Sequence, residues 1–236
     1  SLNIDRPEPI DPKPRISVRH LTVTDKDGIT KLSDVSFTAN SGEVLGIAGI
    51  SGSGQKELLE AIAGLQHFES GEIVYIDPST GIETGLAGLD PRKIASMGVM
   101  LSFVPEDRLG MGLVGNMDLT NNMMLRSFRL GKSMFTNRKS PRDLAHQVVE
   151  DLEVNTPGVT TPVRRLSGGN VQKILVGREI SSTPTVLMTA YAVRGLDINS
   201  SYTIYDLINQ QKQNDVAVIF VGEDLDVLLE ISDRIL

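Results

Sequence analysis

The sequence contains no cysteine and no tryptophan, and only three histidines among 236 residues. Without cysteine the chain forms neither disulfides nor thiolate metal sites, which fits a reducing compartment. His20, His67 and His146 are scattered, which argues against a histidine-based metal site. Long apolar runs are also missing: residues 216–221 have only the length of a strand, and a membrane-spanning helix needs roughly 18 residues. With no leader pattern, the sequence predicts a soluble, cytoplasmic chain.

A surplus of positive charge is missing as well. The formal net charge is −7, which argues against a general nucleic-acid binder, because such proteins need excess Lys and Arg to displace counterions. The local exception is 126–142, which carries six basic residues and no acid. Two interpretations remain open for it: a solvated loop or helix face, and a surface near an anionic membrane leaflet.

The chain length fits one domain of ordinary size. Residues 1–15 contain four alternating prolines, which favours an extended linker, with Ser1 and Leu2 as residues left by cloning. An α/β pattern covers 16–116 and resumes over 166–236, and 117–165 reads as an inserted helical subdomain. The linker at the start and the strand that begins at 235 predict that the sequence is part of a longer chain.

Apolar periodicity assigns the individual elements. The predicted strands are 16–23, 35–38, 43–47, 71–77, 99–104, 186–189 and 216–221, with a further strand beginning at 235. The predicted helices are 55–65, a short one after Pro91, 140–152, 171–180, 201–211 and 225–231.

A glycine-rich loop joins the buried strand 43–47 to the helix that follows. It reads Gly49-Ile-Ser51-Gly52-Ser53-Gly54. Glycines let successive N–H groups turn inward as an anion nest, and the helix directs its positive end at the same place. Such a turn is typical of a phosphate-binding loop, and also of a plain turn or a dinucleotide loop.

A second loop of this kind precedes the helix 171–180. It consists of Leu166, Ser167, Gly168, Gly169 and Asn170. The serine hydroxyl and the glycine amides again stand at a helix N-terminus. Two anion-ready helix starts in one α/β domain, separated by a helical insert, form a specific arrangement.

At this point the sequence resembles the ABC ATPase family, in which the first loop is Walker A and the second is the signature. The resemblance implies a P-loop NTPase-like α/β core, with a mixed or parallel sheet, an antiparallel N-terminal part and an inserted helical subdomain. It also implies that ATP lies between the Walker A of one domain and the signature of another. Glu106 falls at the Q-loop position, Asp197 in the D-loop and Glu223 at the switch position.

Three segments resemble one branch of this family, the ATPases of monosaccharide and nucleoside importers. They read GIAGISGSGQKELLEAIAGL, FVPEDR and LSGGNVQK. In that branch one chain carries two ATPase domains in tandem, and the resemblance is to the second. It implies transmembrane permease subunits as partners, an indirect link to a substrate-binding protein, and a place at the inner face of the cell membrane. The resemblance implies that the transported substrate is a sugar of the ribose or galactose type or a nucleoside, and the tripeptide 155–157 resembles the nucleoside subgroup.

The phosphate loop departs from the family pattern at its most important position. The family's lysine is Gln55 here, and the following Ser or Thr is Lys56. One residue along a helix rotates a side chain by about 100°, so Lys56 is aimed away from the phosphates. Gln55 donates hydrogen bonds without charge, and Glu57 adds negative charge near the loop.

The groups that hold magnesium and activate water are replaced too. The Walker B aspartate position is Ala190, the following glutamate is Tyr191, and the switch histidine is Glu223. Glu106 retains some capacity to hold a metal. The region 23–26 has no aromatic where the family stacks adenine.

These groups act as a unit on one phosphoryl transfer, so their joint loss predicts a site that binds ATP with Mg²⁺ weakly held or absent and hydrolyses it poorly. The intact signature is then expected to complete a partner domain's site. Two alternatives stay open: a stand-alone ATPase that uses Lys56, and a structural partner domain that binds no nucleotide. ABC proteins that act on DNA or ribosomes are disfavoured, because the chain lacks the coiled coil, zinc-ligand cysteines and basic charge of those roles.

Overall fold

The computed structural model describes residues 4–50, 52–103, 141–151, 154, 156, 158, 168–180 and 183–236. Within these ranges the chain forms nine strands and six helices. The fold divides into two compact units. The first comprises 1–101, 184–190 and 205–236, and the second comprises 102–183 and 191–204.

The first unit contains a four-stranded antiparallel sheet with the strand order β2-β1-β4-β5. Its strands are β1 (Pro14–Thr24), β2 (Thr30–Asn40), β4 (Ser70–Ile76) and β5 (Glu83–Gly85). The antiparallel N-terminal part that the family resemblance implies is therefore present. The short strand β5 was not predicted.

One irregularity in β1 explains its sequence pattern. Its buried side chains belong to Ile16, Val18, Leu21 and Val23, so the alternation slips by one residue in the middle. The register with β2 shifts at the same place, and His20 there has a φ of 52°. Since a one-residue slip would otherwise turn the apolar set to solvent, this bulge keeps both halves of β1 facing the core.

The second sheet has five strands in the order β6-β7-β8-β3-β9. They are β3 (Val44–Ala48), β6 (Val99–Phe103), β7 (Val186–Ala190), β8 (Ala217–Gly222) and β9 (Arg234–Ile235). β3 pairs in parallel with β8 and β9, and β7 pairs in parallel with β8. Strands of this kind are covered on both faces, which accounts for their nearly continuous apolar sequences.

The register of this sheet determines which residues meet at its carboxyl edge. Ala48, the last residue of β3, is paired with Gly222 of β8, and Ala190 of β7 is paired with Val221. The loop that begins at Gly49 therefore leaves the sheet beside the ends of β7 and β8.

Helices of the first unit follow these strands. They are α1 (Gln55–Ala63), α2 (Pro91–Ser96) and α6 (Leu225–Ile231), and most of α5 (Ile198–Gln213) belongs there too. Asp90 and Asp224 cap α2 and α6 by accepting hydrogen bonds from N–H groups of the first turn. Each of these helices therefore begins at an aspartate whose carboxylate accepts a hydrogen bond from an otherwise unpaired N–H group of the first turn.

The second unit holds α3 (Pro141–Asp151) and α4 (Gly168–Ile180). α3 lies where a helix over 140–152 is predicted, and α4 begins three residues before the predicted start at Val171. Most of the predicted helical subdomain lies outside the described residues, as do Ser51 and Glu106. Its boundaries at 117 and 165 stay predictions.

Residues 4–7 of the predicted linker are fixed to the first unit. Asn209 donates from Nδ2 to the carbonyl of Asp5 at 2.7 Å, and Lys212 donates from Nζ to the carbonyl of Pro7. The Lys212 ammonium also lies 2.8 Å from the Asp233 carboxylate, and these side chains are only 2% and 8% exposed. The second oxygen of Asp233 accepts from the N–H of Val44 at 2.8 Å. A buried ion pair thus joins the N-terminal segment, α5 and the start of β3.

We expect Lys212→Met to lower the free energy of unfolding by about 3–5 kcal/mol, because it leaves a buried carboxylate without its counter-charge. Urea unfolding of the variant measures the loss. In the double variant Lys212→Met/Asp233→Asn the acceptor for Val44 is kept without the charge, so part of the stability should return. A Lys212→Met variant as stable as the parent would contradict the role given to this pair.

Candidate functional site

The loop between β3 and α1 has the backbone of an anion-binding nest. Gly52 and Gly54 have φ values of 91° and 97°, a region that glycine enters without strain. Ser53 donates its N–H to the carbonyl of Ile50 at 3.3 Å, and the first helical hydrogen bond of α1 runs from Leu58 to Gly54. The N-cap residue of α1 is Gly54, and the described residues supply no side-chain cap to this helix. The N–H groups of its first turn are therefore available to an anion.

Gln55 folds back over the beginning of this loop. Its side chain is 5% exposed, and a Cβ added to Gly49 would stand 1.6 Å from Gln55 Nε2. Gln55 Oε1 is buried and has no hydrogen-bond partner in the described part of the chain. Gly49 is thus required by the Gln55 side chain, and a neutral amide lies against the start of this loop.

Lys56 lies on another face of α1. Its Nζ is 3.7 Å from Glu60 Oε1, one turn further along the helix, and the side chain is about half exposed. Burial raises the pKa of the Glu60 carboxyl, and the Lys56 ammonium partly offsets this. This arrangement agrees with the rotation expected of a residue one position beyond the lysine site. Glu57 is half-buried in the first turn of α1.

The expected magnesium position offers no ligand set within the described ranges. Ala190 is fully buried at the end of β7, and the adjacent Thr189 Oγ1 is buried without a partner. Glu223 follows β8 and is exposed. Among the residues that the structure describes, no group of three acids or histidines lies close enough to hold a metal ion.

A pocket of about 390 Å³ lies beside the loop. It is lined by Leu32, Asp34, Val35, Ser36, Ile47, Ala48, Ser53, Gln55, Leu58 and Leu236. None of these side chains is aromatic, and the carboxylate of Asp34 is the one formal charge among them. The contribution of β2 was not predicted, since only the folded register brings that strand to the loop.

The family resemblance implies that ATP binds beside this loop. The uncapped start of α1 and the left-handed glycines suit phosphate oxygens. Gln55 is an uncharged donor beside them. The residues present therefore fit the phosphates of a nucleotide, whereas a ligand set for its usual metal is not found in the described part of the site.

The signature segment belongs to the second unit. Gly168, Gly169 and Asn170 form the first turn of α4 instead of preceding the helix. Leu166 and Ser167 lie outside the described residues. The N–H groups that the signature is expected to present are therefore those of a helix start.

The D-loop turn, residues 191–197, comes directly after β7 in the sequence and belongs to the second unit. Tyr191 is 6% exposed and has a φ of 59°, and the Arg194 guanidinium lies 3.9 Å from the centre of its ring. Asp197 accepts hydrogen bonds from the N–H and the hydroxyl of Ser200, at 2.9 and 2.8 Å. The Ser200 N–H is the main reason that the pKa of Asp197 is lowered. Asp197 therefore acts here as the cap of α5.

No helix among the described residues is long and apolar enough to cross a membrane.

Comparison with known proteins identifies related sequences over most of the chain. The sequence profile of the ABC transporter family matches residues 32–189. The chain is 37% identical over 240 residues to the glucose import ATP-binding protein of Haloferax volcanii, covering all of this chain and 42% of that protein. It is 32% identical over 225 residues to the guanosine import ATP-binding protein of Bacillus subtilis, covering 93% of this chain and 42% of that protein. The chain thus spans less than half the length of these relatives.

Solved structures with the same fold are also found. A dimeric bacterial ABC transporter cassette aligns with a TM-score of 0.76 at 24% identity, over 93% of this chain and 92% of that one. An ABC transporter ATP-binding cassette in its ADP conformation aligns with a TM-score of 0.74 at 18% identity, over 94% and 86%. At these identities the likeness supports the fold alone.

Two glycines of the loop provide a matched test of its backbone. A Cβ at Gly54 would stand 2.4 Å from the Lys31 carbonyl oxygen, whereas a Cβ at Gly52 meets nothing within 4 Å. We expect Gly52→Ala to cost about 1–2 kcal/mol for the left-handed backbone alone. Gly54→Ala should cost about 1–3 kcal/mol more, because it also creates a clash. Chemical unfolding of the two variants compares them, and equal losses would rule out the close approach at Gly54.

Proposed function

Since the chain belongs to the ABC transporter family, we propose that it is the degenerate nucleotide-binding domain of an importer for a sugar or a nucleoside. In this proposal it is one half of a tandem ATPase and lies at the inner face of the membrane, bound to permease subunits. The import functions in the names of its relatives support this assignment, as does their length of more than twice that of the chain.

The observation that carries the proposal is the state of the phosphate loop. It has kept its glycines and its open helix start, but the side chain folded over it is the uncharged Gln55, and the ammonium of Lys56 is directed to Glu60. Phosphates would be held by backbone N–H groups and the helix dipole, with no cation from these two positions. Such a site binds a nucleotide more readily than it stabilises the charge that develops during phosphoryl transfer.

Hydrolysis by this domain itself is therefore expected to be poor. Ala190 offers no oxygen to a metal, and Tyr191 offers a phenol where the family pattern has a carboxylate, and a phenol is a poor general base at neutral pH. The role we assign instead is to present Ser167, Gly168 and Gly169 to ATP bound on the partner domain.

The first test is nucleotide binding with and without metal. Titration of the chain with a fluorescent ATP analogue should give an affinity that changes by less than about threefold when Mg²⁺ is added, because the described site has no ligand set for the ion. Complete absence of binding would instead favour the structural partner domain that binds no nucleotide.

The stand-alone ATPase alternative makes a different prediction for Lys56. If Lys56 has replaced the displaced lysine, Lys56→Ala should abolish steady ATP turnover by this chain. In our proposal the parent chain turns over little ATP, and Lys56→Ala changes nucleotide affinity by less than about twofold, since the Lys56 ammonium is directed to Glu60 and not to the phosphate loop. Rapid turnover that depends on Lys56 would refute the proposal.

The second test concerns the signature in the full-length protein assembled with its membrane subunits. Ser167→Arg should lower ATP turnover and transport by about 100-fold or more, because in the proposed role it replaces a hydroxyl donor by a bulky, charged side chain. Ser96→Arg, at an exposed position at the end of α2, is the matched control and should leave both unchanged. Normal transport by the Ser167→Arg variant would show that the signature of this domain does not complete the partner's ATP site.

A further inference from the structure

A buried glutamine of the second unit connects two segments that are distant in the sequence. Gln172 is fully buried on α4, two residues after the last signature residue, Asn170. Its Nε2 donates a hydrogen bond of 3.0 Å to the carbonyl of Ala192. Ala192 belongs to the D-loop turn, so one side chain on the signature helix holds the backbone of that turn.

The D-loop turn is a strained segment that needs such support. Tyr191 adopts a left-handed φ of 59°, which is unusual for a bulky residue and persists only where its surroundings enforce it. The Arg194 guanidinium stacks on the Tyr191 ring, and the Arg194 N–H donates to the Tyr191 carbonyl at 3.1 Å. These contacts brace the turn from within, and the bond from Gln172 anchors it to a neighbouring helix.

The beginning of α4 also requires a contact that orders it. Its first two residues are Gly168 and Gly169, the residue type that loses most conformational freedom when it becomes helical. Gln172 lies about one turn further along the helix, and its amide reaches a fixed carbonyl outside that helix. The bond to Ala192 therefore orders the helix start as well as the turn.

We infer that Gln172 is a positioning residue that makes the signature turn and the D-loop turn a single rigid piece. The signature turn and the D-loop turn each hold the other in the position from which it faces the partner's nucleotide. This inference rests on the proposed function, in which both segments of this domain serve a site on another domain. It adds that they move together when the two domains close.

Hydrogen–deuterium exchange on the chain tests the link directly. In Gln172→Met, a variant of similar shape without the donor, amides of both 168–172 and 192–197 should exchange about three- to tenfold faster. Gln66→Met is the matched control, since Gln66 Nε2 also donates to a carbonyl, that of His67, at an exposed position. It should leave both segments unchanged. If Gln172→Met does not fold, Gln172→Asn keeps the amide and shortens the side chain so that the bond to Ala192 is broken.

Faster exchange in only one segment, or in neither, would overturn the inference. ATP turnover by the full-length protein in its transporter then separates the two hypotheses. With the link present, Gln172→Met should lower kcat about three- to tenfold and leave the KM for ATP unchanged, because ATP first binds the partner's own phosphate loop. Linked exchange together with full activity of Ser167→Arg would keep the link and refute the proposed function. If Ser167→Arg lowers activity but Gln172→Met does not speed amide exchange in both segments, the proposed function stands and the link is refuted.

Discussion

The parallel pairing of β3 with β8 is the constraint from which the described nucleotide site follows. Because Ala48 is in register with Gly222, the phosphate loop and the residue after β8 leave the sheet side by side. The register of β7 with β8 brings Ala190 to the same edge. The fold therefore places these positions together whatever side chains they carry. In the proposed function, this chain keeps that arrangement of loops without the charged groups of the family pattern.

The residues at the phosphate loop and at the end of β7 bring little charge to the site. Gln55 carries a neutral amide, the ammonium of Lys56 is directed to Glu60, and Ala190 is a buried methyl group. In the described part of the site, the first turn of α1 and the backbone of the loop are the donors to an anion, and the carboxylates of Asp34 and Glu57 lie nearby. A site of this kind stabilises a bound anion through fixed dipoles, which require no counter-charge and cost no reorganisation.

Sequence patterns predicted the main strands and helices because burial imposes a period on them. The fully buried strands read as apolar runs, and Asp90 and Asp224 mark helix starts by their own chemistry. The short strand β5 was missed because its residues are polar and it forms by pairing with β4. The start of α4 was placed too late because glycine has low helix propensity, and tertiary contacts overrode it. The position of Gln55 over Gly49, and the bond from Gln172 to Ala192, depend on folded geometry that no local pattern contains.

The anchoring of residues 4–7 also bears on where this domain can be cut. Composition alone would divide the chain at Ile16, after the last of the alternating prolines. A fragment made in that way would remove the carbonyl partners of Asn209 and Lys212 and the Arg6 that donates to Ser232. It would also uncover the Lys212–Asp233 pair, a charged element that is stable in its present form because it is enclosed. A fragment that keeps these contacts therefore includes residues 4–7 of what reads as a linker.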